Sequence, residues 1–150
     1  MQLNDYFDAN SINLALRGGS KDEILEELVG LLRMDERSSG TLLRVLQRRE
    51  NLGSTGVGRG IAIPHCRSLM VTRLRLGYGR VPAGAEFQAI DGKPVFNFFL
   101  IVAPPLEISN QYLPVLGKIA QFAKEPDVPD RLAGLKSVDE FLRLLAEKNV

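Results

Sequence analysis

The sequence predicts an α/β fold: a single three-layer domain, a mixed β-sheet flanked by helices on both faces. Three observations carry this. Helical periodicity occupies both ends of the chain, the middle holds short β-branched and alternating runs, and PVFNFFLIVAP (94–104) is apolar at nearly every position. A continuous apolar run fenced by prolines is what a strand covered on both faces requires. Helices before and after central strands pack as layers with the sheet in the middle. The 150 residues show no internal repeat and no low-complexity linker, so residues 1–150 are expected to form one domain. Strand order does not follow from pattern.

The elements follow in order. In SKDEILEELVGLLR (20–33), Ser20 and Glu23 have capping-box spacing, and Ile24, Leu25, Leu28, Leu31 and Leu32 fall on one helical face. SSGTLLRVLQRRE (38–50) is a second amphipathic helix with Leu42, Leu43, Val45 and Leu46 inward, and it runs straight into a glycine-rich loop. GIAIP (60–64) is a short β-branched run ended by proline, and LRLGYGRV (74–81) alternates with period two. DGKP (91–94) signals a turn before the long apolar strand. SNQYLPVLGKIAQFAKE (109–125) returns to helix with Ser109 as candidate cap, and Pro114 then has to sit in the first turn. SVDEFLRLLAEK (137–148) closes the chain with a second capping-box pair, Ser137 and Glu140.

The totals narrow the function. A hydrophobic fraction of 45%, a charged fraction of 25% and a formal net charge of +1 describe an ordinary globular protein and point neither to nucleic acid nor to an anionic membrane. The longest apolar run is too short for a membrane-spanning helix, and MQLNDYFDANSINL lacks the basic and apolar regions of a secretory signal. The lone Cys66 excludes an internal disulfide and suits a reducing compartment, so a cytoplasmic location is expected.

The chemistry concentrates in GSTGVGRGIAIPH (53–65), which ends on the only histidine of the sequence. Glycines at 53, 56, 58 and 60 let backbone approach an anion and form N–H nests. Ser54 and Thr55 can donate to phosphoryl oxygens, and Arg49 or Arg59 can neutralise charge in bidentate geometry. The loop is not a nucleotide P-loop, because no Gly-Lys-Ser/Thr follows the glycines, and no strand precedes it as a dinucleotide fingerprint needs. Imidazole can carry a phosphoryl group on a ring nitrogen, and Pro64 would hold His65 in a defined pose. From the residues alone two readings stay open: His65 carries phosphate, or it is a packed, hydrogen-bonded bystander. One histidine and one cysteine are a poor start for a metal site. A Cys66 nucleophile with His65 as base is disfavoured, since adjacent strand residues face opposite ways.

The Arg49–Glu50 pair, the Gly-Ser-Thr-Gly run from Gly53 to Gly56, the glycines at 58 and 60, and Ile63-Pro64-His65 stand at a spacing that resembles a known family. It is the type-2 enzyme IIA domain of the bacterial phosphoenolpyruvate:sugar phosphotransferase system, the mannitol/fructose and nitrogen-regulatory class. The resemblance extends to GSKDEILEELVGLL (19–32), FQAIDGKPV (87–95), FFLIVAP (98–104) and the closing helices. It implies a mixed sheet sandwiched by helices, His65 as acceptor of a phosphoryl group from the phosphohistidine of an HPr-like carrier, and Arg49 beside it stabilising the transferring group. Gly53, Ser54, Thr55 and Gly56 would hold the phosphoryl group. No cofactor and no metal are implied. Tyr112, in NQYLPVL (110–116), takes the place where such domains often carry a second histidine; a phenol can hydrogen-bond there but is no cation near neutral pH.

Three functions follow as expectations. A nitrogen-type regulator would bind target proteins, of the sensor-kinase or potassium-transporter class, in one phosphorylation state, and a chain ending near its last helix favours that reading. A sugar-specific component would pass phosphate to a IIB domain for fructose- or mannitol-type uptake. A IIA-like binding module would carry no phosphate at all. In the first two, charge on His65 would alter a patch of Arg49, Arg59 and Arg67.

Overall fold

The structure, a computed structural model, describes residues 2–106 and 110–150. A single 3₁₀ turn (Leu3–Tyr6) leads into β1 (Phe7–Asn13), followed by α1 (Lys21–Gly30) and α2 (Glu36–Leu52). The glycine-rich loop then yields three short strands, β2 (Gly56–Gly58), β3 (Ile61–Ala62) and β4 (His65–Arg67). Two long strands, β5 (Arg75–Ala85) and β6 (Val95–Ala103), precede α3 (Tyr112–Ala123), α4 (Val128–Ala133) and α5 (Val138–Glu147). The sheet is mixed, in the order β1-β5-β6-β3-β2, with β4 also pairing to β6. β5 and β6 run antiparallel, whereas β1 joins β5 and both β3 and β4 join β6 in parallel.

Strand β6 explains the three layers. Its side chains alternate between two cores, Phe99, Ile101 and Ala103 on one face and Phe98, Leu100 and Val102 on the other, all fully buried. The first face packs against α3, α4 and α5 through residues such as Val115, Ile119 and Phe141; the second packs against α1 and α2 through Ile24, Leu28, Leu42 and Leu46. An unbroken apolar run is thus a strand with helices on both sides, as the pattern requires. Tyr78 stacks on Phe141 at 4.3 Å between centroids, with Phe7 edge-on to Phe141 at 5.3 Å. Such pairs add about 0.5–1.5 kcal/mol each beyond burial. The Tyr78 hydroxyl is not stranded: it donates to Asn97 Oδ1 at 2.6 Å.

Local signals hold with informative exceptions. Ser20 and Glu23 form the reciprocal capping box of α1. α2 starts earlier than its apolar stripe suggests, because Asp35 accepts from both the backbone N–H and the hydroxyl of Ser38. A carboxylate at the N-cap also complements the helix dipole. At α5, Ser137 caps the Glu140 N–H, but the Glu140 carboxylate accepts from Lys136 N–H instead, so that box is displaced by one residue. The candidate cap Ser109 lies outside the described residues; α3 begins at Tyr112, which leaves Pro114 in its first turn. GIAIP does not become one strand. Proline offers no ladder N–H, so β3 and β4 follow one another along β6 with Ile63 and Pro64 between them. Among the described residues no helix is long and apolar enough to cross a membrane.

Candidate functional site

Strand β6 lends one edge to two partners in succession. β3 pairs with Asn97 and Phe98, and β4 pairs with Ile101 to Ala103. β3 is covered on its outer side by β2, whereas among the described residues no strand pairs with the outer edge of β4, at whose start His65 stands. His65 and Arg67 pair with Ile101 and Ala103, which face the α3 side, whereas Cys66 pairs with Val102 and turns into the opposite core. Burial pushes the Cys66 thiol up to about 12, so it is inert beside the histidine, as strand alternation anticipates.

The imidazole is half-buried and its tautomer is set by geometry. Nδ1 lies 2.7 Å from the carbonyl oxygen of Ile63. A carbonyl can only accept, so Nδ1 carries the proton and Nε2 of the neutral ring keeps its lone pair. Tyr112, the first residue of α3, stands beside it with ring centroids 6.3 Å apart. The Arg67 guanidinium covers the Tyr112 ring at 4.5 Å and is steadied by a 3.0 Å bond from Nη1 to Pro104 O. The Tyr112 phenol is raised to about 12, chiefly by burial and then by neighbouring Cys66, while Arg67 and Arg49 pull the other way. It is therefore a neutral hydrogen-bond donor near pH 7. Arg67, Tyr112 and His65 thus stand together, and the charge of Arg49 also reaches the phenol.

Arg49 belongs to the last turn of α2, and its Nη1 donates to Gly53 O at 2.8 Å, which fixes the helix exit and the guanidinium together. The loop hydroxyls are otherwise engaged. Thr55 donates its hydroxyl and its N–H to the two carboxylate oxygens of Glu50, each at 2.8 Å. Ser54 donates to Phe87 O at 2.6 Å and accepts from Gly56 N–H. Each hydroxyl has a single proton, and here that proton is directed at a protein acceptor. Gly56 answers a packing demand: a Cβ there would stand 2.8 Å from Ala89. Arg59 is also displaced from the site. Its guanidinium donates to Lys124 O and Glu125 O beyond the end of α3, whereas Tyr112 lies at its start, so α3 separates them by about 18 Å.

Glu50 is the residue that sequence reasoning passed over. It is 4% exposed and also meets Lys21 Nζ at 3.4 Å. The signal was present: Leu42, Leu46 and Glu50 recur at four-residue steps and are the buried stripe of α2. A carboxylate in a core position calls for partners, and Thr55 and Lys21 supply them.

A half-buried imidazole whose Nε2 is unengaged among the described residues, with a neutral phenol and a guanidinium beside it, is an arrangement chemically able to carry a phosphoryl group on the ring. The comparisons agree in class. Residues 5–148 match the family "Phosphoenolpyruvate-dependent sugar phosphotransferase system, EIIA 2", and the chain belongs to that family. It is 33% identical over 132 residues to the nitrogen regulatory protein of Pseudomonas aeruginosa, covering 87% of this chain and 85% of that one. It is 24% identical over 149 residues to the fructose-specific EIIABC component of Bacillus subtilis, covering 97% of this chain but only 23% of that larger protein. The structure of the nitrogen regulatory protein IIA-Ntr from Neisseria meningitidis superposes with a TM-score of 0.86 at 31% identity, over 95% of this chain and 98% of that one. The mannitol IIA of Escherichia coli, solved in complex with phosphorylated IIB, shares the fold at a TM-score of 0.74 and 24% identity, over 94% and 99% of the two chains.

Proposed function

We propose that this chain is a nitrogen-regulatory phosphocarrier that accepts a phosphoryl group on Nε2 of His65 from the phosphohistidine of an HPr-like protein. The observation that carries the reading is the bond between Nδ1–H and Ile63 O, which leaves Nε2 as the free nucleophile on an open strand edge. In transfer, the Nε2 lone pair forms the new N–P bond as the donor's N–P bond breaks and its ring leaves with the electron pair. The His65 ring gains positive charge, and the Ile63 carbonyl is placed to stabilise it. Arg49 and Arg67 offset the charge of the phosphoryl oxygens, and the Tyr112 phenol offers a neutral donor. The work is alignment and electrostatics, and no step calls for a metal. Ser54, Thr55 and Glu50 hold the loop against α2 and leave Gly53 to Gly56 as its backbone wall.

Partner docking fits the same end. Leu52, Leu69, Leu106 and Leu113 are 87%, 81%, 93% and 68% exposed, and each lies within two residues of Gly53, Arg67, Pro104 or Tyr112. Exposed leucines rimming a charged centre suit a carrier that must dock, transfer and leave. Phosphorylation would turn that centre from cationic towards neutral or negative, so targets on this face would discriminate the two states.

Incubation with phosphoenolpyruvate, enzyme I and an HPr-type carrier tests the reading by intact mass. A phosphoryl-sized, acid-labile gain that His65→Ala lacks supports it; no gain with carriers of its own organism leaves a IIA-shaped binding module. The second reading, a sugar-specific component, is favoured by the likeness to the fructose system of Bacillus subtilis. Rapid loss of the phosphoryl group to a fructose- or mannitol-type IIB domain would select it over the regulatory one.

A further inference from the structure

A cavity of about 570 Å³ lies away from His65, at the far end of β6. Gly60 and Phe96 border it, and Phe96 is five residues from Ile101, the strand partner of His65, a separation of about 16 Å. Its volume is within the usual range for organic ligands, roughly 300–1,000 Å³.

The walls are apolar and the rim is charged. Phe96 is 39% exposed, with one side of its ring against the side-chain-free backbone of Gly60 and Gly84, and Pro82, Pro94 and Pro129 complete a dry, rigid surface around it. Three cations, Arg59, Arg80 and Lys93, stand against two carboxylates, Asp91 and Asp130. The two guanidiniums are not free to drift. Arg59 is fixed on Lys124 O and Glu125 O. Arg80 donates through Nε to Leu14 O and through Nη1 to Leu132 O and Ala133 O. The Asp91 carboxylate is likewise committed, accepting the backbone N–H groups of Arg59 and Lys93. Holding two guanidiniums on helix-end carbonyls beside an exposed aromatic ring preorganises a site for a ligand with an apolar body and one negative charge.

We propose that this cavity binds a small organic monoanion, a carboxylate on an aryl or branched aliphatic frame, with its apolar body on Phe96 and its charge towards Arg80 and Lys93. A phosphate or a nucleotide suits it less: the lining brings no hydroxyl, and two carboxylates on the rim oppose a multiply charged group. The proposal stands independently of the phosphocarrier reading.

The test titrates the full chain with 4-phenylbutyrate, its uncharged amide and butyrate, reading backbone amide shifts by two-dimensional NMR. Saturable shifts are expected at Gly60, Lys93, Phe96 and Asn97, with the acid roughly three- to fivefold tighter than the amide. Phe96→Ala weakens acid and amide alike, while the exposed Lys93→Gln weakens the acid alone and keeps the test valid if the Phe96 variant folds poorly. No saturable shift at those amides up to about 10 mM acid, equal affinity for acid and amide, or shifts centred on His65 would each overturn the proposal.

Discussion

The two ends of β6 use the same residue types for different ends. At one, no described strand covers the outer edge of β4, and Arg49 and Arg67 donate to Gly53 O and Pro104 O, with Arg67 over the Tyr112 ring beside His65. At the other, β2 closes the edge, and Arg59 and Arg80 close the carboxyl ends of α3 and α4. Arg49 and Arg59 flank the same glycine-rich loop, yet only Arg49 is proposed to serve the histidine. What separates them is not the loop but which helix-end carbonyls lie within reach of each guanidinium.

The largest effect expected at the histidine end is complete: His65→Ala abolishes phosphorylation, read by intact mass after incubation with the carrier chain. The sharpest test of the contrast pairs the two arginines. Arg49→Ala should slow phosphoryl transfer by about 100-fold in quenched-flow single turnover, the scale of losing one preorganised charge donor. Arg59→Ala should leave that rate within about twofold and lower Tm by about 2–5 °C, since it removes a helix-end cap. Equal losses of rate in the two variants would break the comparison.

Intermediate effects probe the loop and the phenol. Glu50→Gln keeps the size of the side chain but weakens its bonds to Thr55 and Lys21; urea unfolding should show a loss of about 1–2 kcal/mol. Tyr112→Phe removes one neutral donor, and the transfer rate should fall about three- to tenfold with the fold unchanged by circular dichroism. A Tyr112→Phe rate equal to the parent's would show that the phenol only packs beneath Arg67.

The smallest effect is alkaline. Burial raises Cys66 from its ordinary 9.0 to about 12, so the unfolded thiol ionises first. Its contribution to stability is whole below about pH 9 and is lost progressively as pH rises towards 12, with Tyr78 and Tyr112 shifted in the same direction. Urea midpoints measured from pH 8 to pH 10.5 should therefore decline, and less steeply in Cys66→Ala.

Much of this was legible in the chain. The Ser20 cap, the two-sided apolar strand and the terminal helices are local signals read by period and spacing. β1 escaped because FDANSIN has no alternation: only Phe7, Ser11 and Ile12 are buried in a strand whose ladder to β5 is irregular. α4 escaped because six residues starting Val-Pro carry little periodicity. The partners of Ser54 and Thr55 were not legible because a hydroxyl's partner depends on what folding brings beside it, here Phe87 O from far along the chain and a glutamate from the preceding helix.

Sequence alone determined the layered α/β class and the family, and it nominated His65 and Arg49 as candidates, because these rest on periodicity and on fixed local spacing. Tertiary structure decided the rest. It placed Nδ1 of His65 on the Ile63 carbonyl, brought Arg67 and not Arg59 beside Tyr112 where β4 and α3 meet, and formed the cavity beside Phe96. Each of those outcomes turns on groups distant in sequence meeting within hydrogen-bond reach, and no local pattern encodes that distance.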